Sequence, residues 1–276
     1  MLPEYSVLLS LYSKENALYL KTALDSVFSQ TFPPSEVILV KDGPLTHELE
    51  AVLSSYNTPL LKIITLPENK GLSYALNIGL KYCKNSLIAR MDTDDICFFD
   101  RFEKQVSFLN SHSEVDIVGS YATKIDEYGD DLNELVKVPI VHEDIMRLIW
   151  TCPMNHPTVM FRKDKILSVY GYNPNAGPRQ DDYDLWFRCA EKGLQFANIP
   201  EPLLHYRFFS DSIKKNSIKV GWYRMKVGLR GCRRLHLSIK AHIGVCIPFV
   251  RSLLPFPLNM YFQTLMNKFN PRKVDC

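Results

Sequence analysis

The chain has 276 residues, 46% apolar and 23% charged. That is enough for one large or two small packed domains and excludes a disordered chain. Seven scattered cysteines without a Cys-x-x-Cys spacing exclude a zinc ribbon or a disulfide framework and point to a reducing compartment. The net charge of +3 is unevenly spread: Ile218 to Cys276 holds eleven Lys and Arg against one acid, Asp275, and the rest is net −7.

Met1-Leu2-Pro3-Glu4 lacks a basic n-region, and no apolar run reaches the length of a membrane span, so the expected location is the cytosol. Tyr5 to Ser10 reads as a buried strand. Ser13 to Ser29 follows with helical spacing, its apolar face formed by Leu18, Leu24, Val27 and Phe28 and its cap by Ser13. The turn between them carries no Gly-x-Gly-x-x-Gly and no Gly-Lys-Ser/Thr, which disfavours a dinucleotide oxidoreductase or a P-loop hydrolase. Glu36 to Val40 is a second strand, ending at Asp42-Gly43, and Leu61 to Ile64 a third. Asn69-Lys70-Gly71 then leads into a helix carrying Leu72, Ala75, Leu76 and Leu80. Asp42 is either an ordinary turn residue or an acceptor for a nucleobase or ribose.

Leu87 to Met91 is the fourth strand, and Asp92, Asp94 and Asp95 follow it. Like charges this close repel. Either solvent relieves them, in an acidic turn, or a hard divalent cation does. Alternating strands and helices with short joints predict a mostly parallel, doubly wound α/β sheet. Ligands then sit at the carboxyl ends of the strands, where Ser10, Asp42, Asp92 and Asp94 converge.

Beyond this half, Arg101 to Ser111 reads as a helix and Val115 to Gly119 as a strand. Gly129-Asp130 marks a hairpin, His142 to Ile149 a helix and Thr158 to Phe161 a strand. The turn formers Asn173 to Pro178 predict a mobile loop that delivers Arg179 to Trp186, the opening of a helix. A carboxylate in a helix's first turn can be a cap, as fits Asp181, or a general base at a loop's edge.

Several motifs stand in a specific order here: Val40-Lys41-Asp42-Gly43, Asn69-Lys70-Gly71-Leu72, Ala89-Arg90-Met91-Asp92-Thr93-Asp94-Asp95, His156-Pro157-Thr158, Asp181-Asp182-Tyr183-Asp184-Leu185-Trp186 and Tyr206-Arg207. Over about residues 4–210 the chain resembles the family 2 glycosyltransferases of GT-A fold, particularly the bacterial exopolysaccharide and O-antigen (amylovoran-type) group. The resemblance implies a GT-A domain over 1–212, its nucleotide-sugar half about 1–100 and its acceptor half about 101–212. It further implies an inverting transfer from a nucleotide-diphospho-sugar, UDP-hexose favoured, to a hydroxyl of a polyprenyl-diphosphate-linked acceptor. Asp94 is then the ligand of Mn²⁺ or Mg²⁺, with Asp92 at the ribose or the metal, and Ser10, Glu15, Asp42, Asn69 and Arg90 serve the nucleotide. Asp182 is the catalytic base, and Asp95, His156, Asp181 and Trp186 are candidates on the sugar or acceptor side. His156 and Trp186 also read as structural residues.

Two positions depart from the family's pattern: Asp181 stands where Glu is usual, and Phe209 where many relatives carry a histidine, which leaves His205 as an outside candidate. Retention of Asp92, Asp94 and Asp182 argues against a catalytically silent scaffold homologue. The missing glycine-rich phosphate loop argues against a nucleotidyltransferase.

The region 213–276 reads as basic and amphipathic. Ile218, Trp222, Met225, Leu229 and Cys232 form a stripe flanked by Lys219, Lys226, Arg230 and Arg233, and an apolar, proline-broken stretch follows. Two readings stand: peripheral association with an anionic leaflet at the inner face of the membrane, or a helical subdomain packed on the core. Nucleic acid is not an expected partner, because aromatic interleaving and a recognisable binding motif are missing.

Overall fold

Strand β1 (Tyr5–Leu11) is apolar on both faces because both are covered. Leu8 faces one core layer with Ile38 and Ile88, while Val7 and Leu9 face the other with Val37, Leu39 and Ala89. A strand buried on both sides has no polar alternation, and so the sequence shows a continuous apolar run. The structure, a computed structural model, describes residues 2–209 and 217–255.

Helix α1 (Ala17–Phe28) follows, then β2 (Glu36–Lys41), α2 (His47–Ser54), β3 (Leu61–Thr65), α3 (Leu72–Tyr82) and β4 (Leu87–Arg90). Asn16 caps α1, accepting from the N–H groups of Leu18 and Tyr19; the expected cap Ser13 lies in the turn before it. Next come β5 (Ile96–Cys97), α4 (Arg101–Ser111), β6 (Ile117–Ile125), β7 (Asp131–Val136), α5 (His142–Arg147), β8 (Met160–Arg162), α6 (Lys163–Ser168), α7 (Asp181–Glu191) and β9 (Phe196–Arg207). The strand expected at Thr158 starts later, because His156–Thr158 closes a 3₁₀ turn first. The hairpin expected at Gly129 joins β6 to β7.

One sheet runs in the order β3-β2-β1-β4-β8-β6-β9-β5, with β7 paired to β6. The strands β1, β2, β3, β4, β6 and β9 point one way, and β5, β7 and β8 oppose them. The first half is therefore the parallel unit read from the sequence, and the second half is mixed. Carboxyl ends of β1, β2 and β4 lie side by side, with Leu11 opposite Lys41 and Leu8 opposite Arg90.

Helices α8 (Ile218–Arg234) and α9 (Ile239–Ser252) pair with each other and lie on α7 and on the 3₁₀ turn Ile149–Thr151. The buried face of α8 corrects the stripe inferred from the sequence. It is Gly221, Val227, Gly228, Gly231 and Cys232, while Ile218 and Trp222 are 53% and 44% exposed. Close approach is the reason: a Cβ on Gly231 would lie 2.2 Å from Cδ1 of Phe187, and one on Gly228 2.7 Å from Cβ of Val245. Among the described residues no helix is long and apolar enough to cross a membrane. The part of the basic tail beyond residue 255, with Pro257, Tyr261 and Phe262, lies outside the described residues.

Candidate active site

Two cavities open at the carboxyl edge of the sheet. The first, of about 650 Å³, is lined by Ser10, Glu15, Asp42, Asn69, Asp92 and Asp94, among others. The second, of about 630 Å³, is lined by Arg90, His156, Asp182, Tyr206 and Arg224, among others. They share Leu72, Asp92, Arg179 and Asp181, so the two spaces adjoin along that line of side chains.

Asp42 ends β2 almost wholly buried. Its two carboxylate oxygens accept from the N–H groups of Lys70 (2.7 Å) and Gly71 (2.9 Å), and its carbonyl accepts from Nδ2 of Asn69 (3.2 Å). Gly71 has φ +89° and precedes α3 as its N-cap, with no side chain to do the capping. A carboxylate from the neighbouring strand does part of that work and pins the turn on the first cavity's wall.

At the end of β4, oxygens of Asp92, Asp94 and Asp95 lie within 4.8 Å of one another. Burial first, then the charge of Asp92, pushes the Asp94 carboxyl up to about 6. Asp95 is buried outright, and its carboxyl too is raised well above the ordinary value, by burial and then by Asp94. Its Oδ1 accepts from the N–H of Arg207, while Oδ2 has no partner. Crowded carboxylates with an orphaned buried oxygen fit a hard divalent cation, which removes the repulsion and the desolvation cost together. Two arginines brace the cluster. Buried Arg90 donates to both oxygens of Asp92, Nη1 to Oδ2 at 2.8 Å. Arg207 donates from Nε to the carbonyl of Asp94 (2.8 Å) and stacks over the ring of Tyr19.

Across the second cavity, Asp182 stands in the first turn of α7. Its Oδ1 accepts from the N–H of Tyr183 (2.8 Å), and the thiol of Cys152 lies 3.4 Å from Oδ2. Asp181 is not a cap: its Oδ1 accepts from the hydroxyl of Ser73, which ties α7 to α3. Burial raises the Asp181 carboxyl, with the Ser73 bond opposing and the Asp182 charge adding. His156 is bonded through Nε2 to the hydroxyl of Tyr172 (2.9 Å). Its pKa is held well below the ordinary histidine value by burial, then by Arg90, so the ring is neutral.

Of the residues singled out from the sequence, Ser10, Glu15, Asp42, Asn69, Asp92 and Asp94 meet on the first cavity. Arg90, His156 and Asp182 face the second, and Asp181 borders both. Arg90 therefore stands beside the second cavity, reaching the first through Asp92. Asp95 lines neither cavity. Trp186 is corrected: it is fully buried, packed edge-on against His156 and Phe196, and offers no face to a sugar. His205 is likewise off both walls, bonded to Thr123 and stacked on Phe98. Missing from the sequence reading are Arg179 and Arg224. A signal existed for Arg179, in the turn formers that set its φ of +60°, and none for Arg224.

Residues 6–171 match Glycosyl transferase family 2, and the chain belongs to that family. It is 41% identical over 234 residues to the amylovoran biosynthesis glycosyltransferase AmsE of Erwinia amylovora, covering 82% of this chain and 86% of the relative. It is 33% identical over 272 residues to an Escherichia coli UDP-Gal:alpha-D-GlcNAc-diphosphoundecaprenol beta-1,3-galactosyltransferase, covering 97% and 98%. Among solved structures, S. aureus TarS 1-349 in complex with UDP-GlcNAc superposes with a TM-score of 0.67 at 16% identity, over 90% of this chain and 72% of that one. Both relatives are glycosyltransferases, AmsE one of amylovoran biosynthesis, and the likeness to TarS is one of fold.

Proposed function

We propose that the protein is a metal-assisted, inverting glycosyltransferase that moves a hexose from a UDP-sugar to a hydroxyl of a polyprenyl-diphosphate-linked acceptor during bacterial surface polysaccharide synthesis. The observation that carries this reading is the meeting of two cavities at Asp92, one lined by Asp42 and Asp94 and the other by Asp182. The relative that uses UDP-Gal and a diphosphoundecaprenol-linked acceptor, and the fold neighbour that holds UDP-GlcNAc, support the choice of substrates.

The nucleotide occupies the first cavity, where the turn fixed by Asp42 offers a rigid wall. Asp94 and Asp92 hold Mn²⁺ or Mg²⁺, which supplies the positive charge that a departing nucleoside diphosphate needs. Arg90 keeps Asp92 turned toward the junction of the cavities. Asp182 accepts the proton of the acceptor hydroxyl as that oxygen attacks the anomeric carbon from the face opposite the leaving group. Attack from that face inverts the configuration. Tyr183 and Cys152 orient the Asp182 carboxylate. Exposed Ile239 and Ile243 beside Lys240 on α9 support a docking of this end on an anionic leaflet.

The test is transfer from radiolabelled UDP-hexoses to a synthetic GlcNAc-diphosphate-alkyl acceptor. Asp182→Asn should lower kcat by about 10²–10⁴-fold, the range of a lost general base, while UDP still binds. An Asn variant with wild-type kcat would falsify the assignment.

A further inference from the structure

The second cavity has a cationic side that the reaction above leaves unused. Arg224, on α8, reaches into it. Its guanidinium lies over the ring of Tyr183, 4.4 Å from the centroid, and Nη2 donates to the carbonyl of Thr151 at 3.2 Å. Tyr183 directly follows Asp182. A guanidinium carries five donors in a rigid fork, and here one has a neutral acceptor. No carboxylate among the described residues pairs with Arg224. On α9, Arg251 stands close enough that burial first and then the charge of Arg224 hold its pKa below the ordinary value. A part-buried guanidinium in a cavity wall, with no carboxylate partner among the described residues, is costly unless an anion completes it. Lys124, on the same cavity, is different, because Glu134 already neutralises it.

Arg224 lines only the second cavity, away from Asp94 and the nucleotide's wall. An anion it binds therefore belongs to the acceptor. Resting on the function proposed above, the acceptor's hydroxyl lies at Asp182, and one sugar ring away lies its anomeric diphosphate. We infer that Arg224 binds the diphosphate of the lipid-linked acceptor, so that helix α8 selects acceptors carrying that group. This gives α8 a role in the site besides packing: it brings a cation to a cavity whose other walls come from the sheet, from α3 and α7, and from the chain around Cys152, His156 and Arg179.

The test titrates two synthetic ligands, α-GlcNAc-diphosphate-alkyl and the neutral α-GlcNAc-alkyl glycoside, into the full chain with and without UDP and Mn²⁺. Wild type should prefer the diphosphate by at least about tenfold, the size of one charge-assisted hydrogen bond. Arg224→Met keeps the stem over Tyr183 and removes the charge, and it should bring the preference within about twofold. Arg224→Lys should keep part of it, and both should leave UDP binding unchanged. An unchanged preference in Arg224→Met, or a wild type that does not discriminate, overturns the proposal. Failure of wild type to bind UDP would instead overturn the donor reading, and the titrations without nucleotide decide the role of Arg224 by themselves.

Discussion

Replacing Asp42 with Asn keeps the side chain's size and removes its charge. Each carboxylate oxygen now serves one backbone N–H, of Lys70 and of Gly71. An amide has one oxygen, and its NH₂ group must face the remaining donor. The change loses one charge-assisted bond and leaves a part-buried N–H unpaired, together about 2–3 kcal/mol. At roughly 2–4 °C per kcal/mol for a chain near this size, Tm should fall by about 4–12 °C. UDP affinity should fall as well, because Asn69 to Ser73 form part of the first cavity's wall. Differential scanning calorimetry of the free protein and a UDP titration of the same sample check both. An Asn variant that keeps the wild-type Tm but binds UDP poorly would refute the reasoning, since Asp42 would then act on the nucleotide and not on the turn.

Acidity gives a second handle. With its carboxyl raised to about 6 in the fold, Asp94 keeps a proton that the unfolded chain gives up at lower pH. The stability that this proton confers is present below the unfolded value and is lost as pH rises through about 6. A divalent ion takes the proton's place, so the rise in Tm on adding Mn²⁺ should be larger at pH 7.5 than at pH 5, and an equal rise at both would contradict the cluster's role. Gly231→Ala tests the docking of α8: its Cβ would meet Phe187 at 2.2 Å, and Phe187 is 5% exposed. Overpacking should cost about 1–3 kcal/mol in urea unfolding, more than the ~1 kcal/mol that alanine gains in a helix. A net stabilisation would mean that the two helices do not touch there.

The elements legible in the sequence were those whose pattern is set by burial on both faces or by one helical stripe. Strands β1, β2 and β4 have no alternation to misread, and α3 carries Ala75, Leu76 and Leu80 at its buried face. Carboxylates at the strand ends followed from the same topology. What the sequence hid has local causes. Ser13 and Asn16 both suit a cap, and only the chain's path chooses Asn16. Two-residue β5 is too short for a pattern, and β9 carries Pro200 and Pro202, which read against a strand. In α8 the buried surface is largely glycine, which a hydrophobic pattern does not register. The brace of Arg90 on Asp92 was readable in principle, since residues two apart at a strand's end point the same way. Arg224 was not readable, because its place beside Tyr183 depends on how α8 docks on α7, far along the chain.

The central claim is a metal-assisted nucleotide site at Asp94. Its most direct test is a calorimetric titration of UDP into the full chain with Mn²⁺, repeated with EDTA and again with Asp94→Ala. Binding should need both the ion and the carboxylate, with heat lost in EDTA and in the variant. Equal binding in EDTA, undiminished binding by Asp94→Ala, or no binding of UDP under any of these conditions would contradict it.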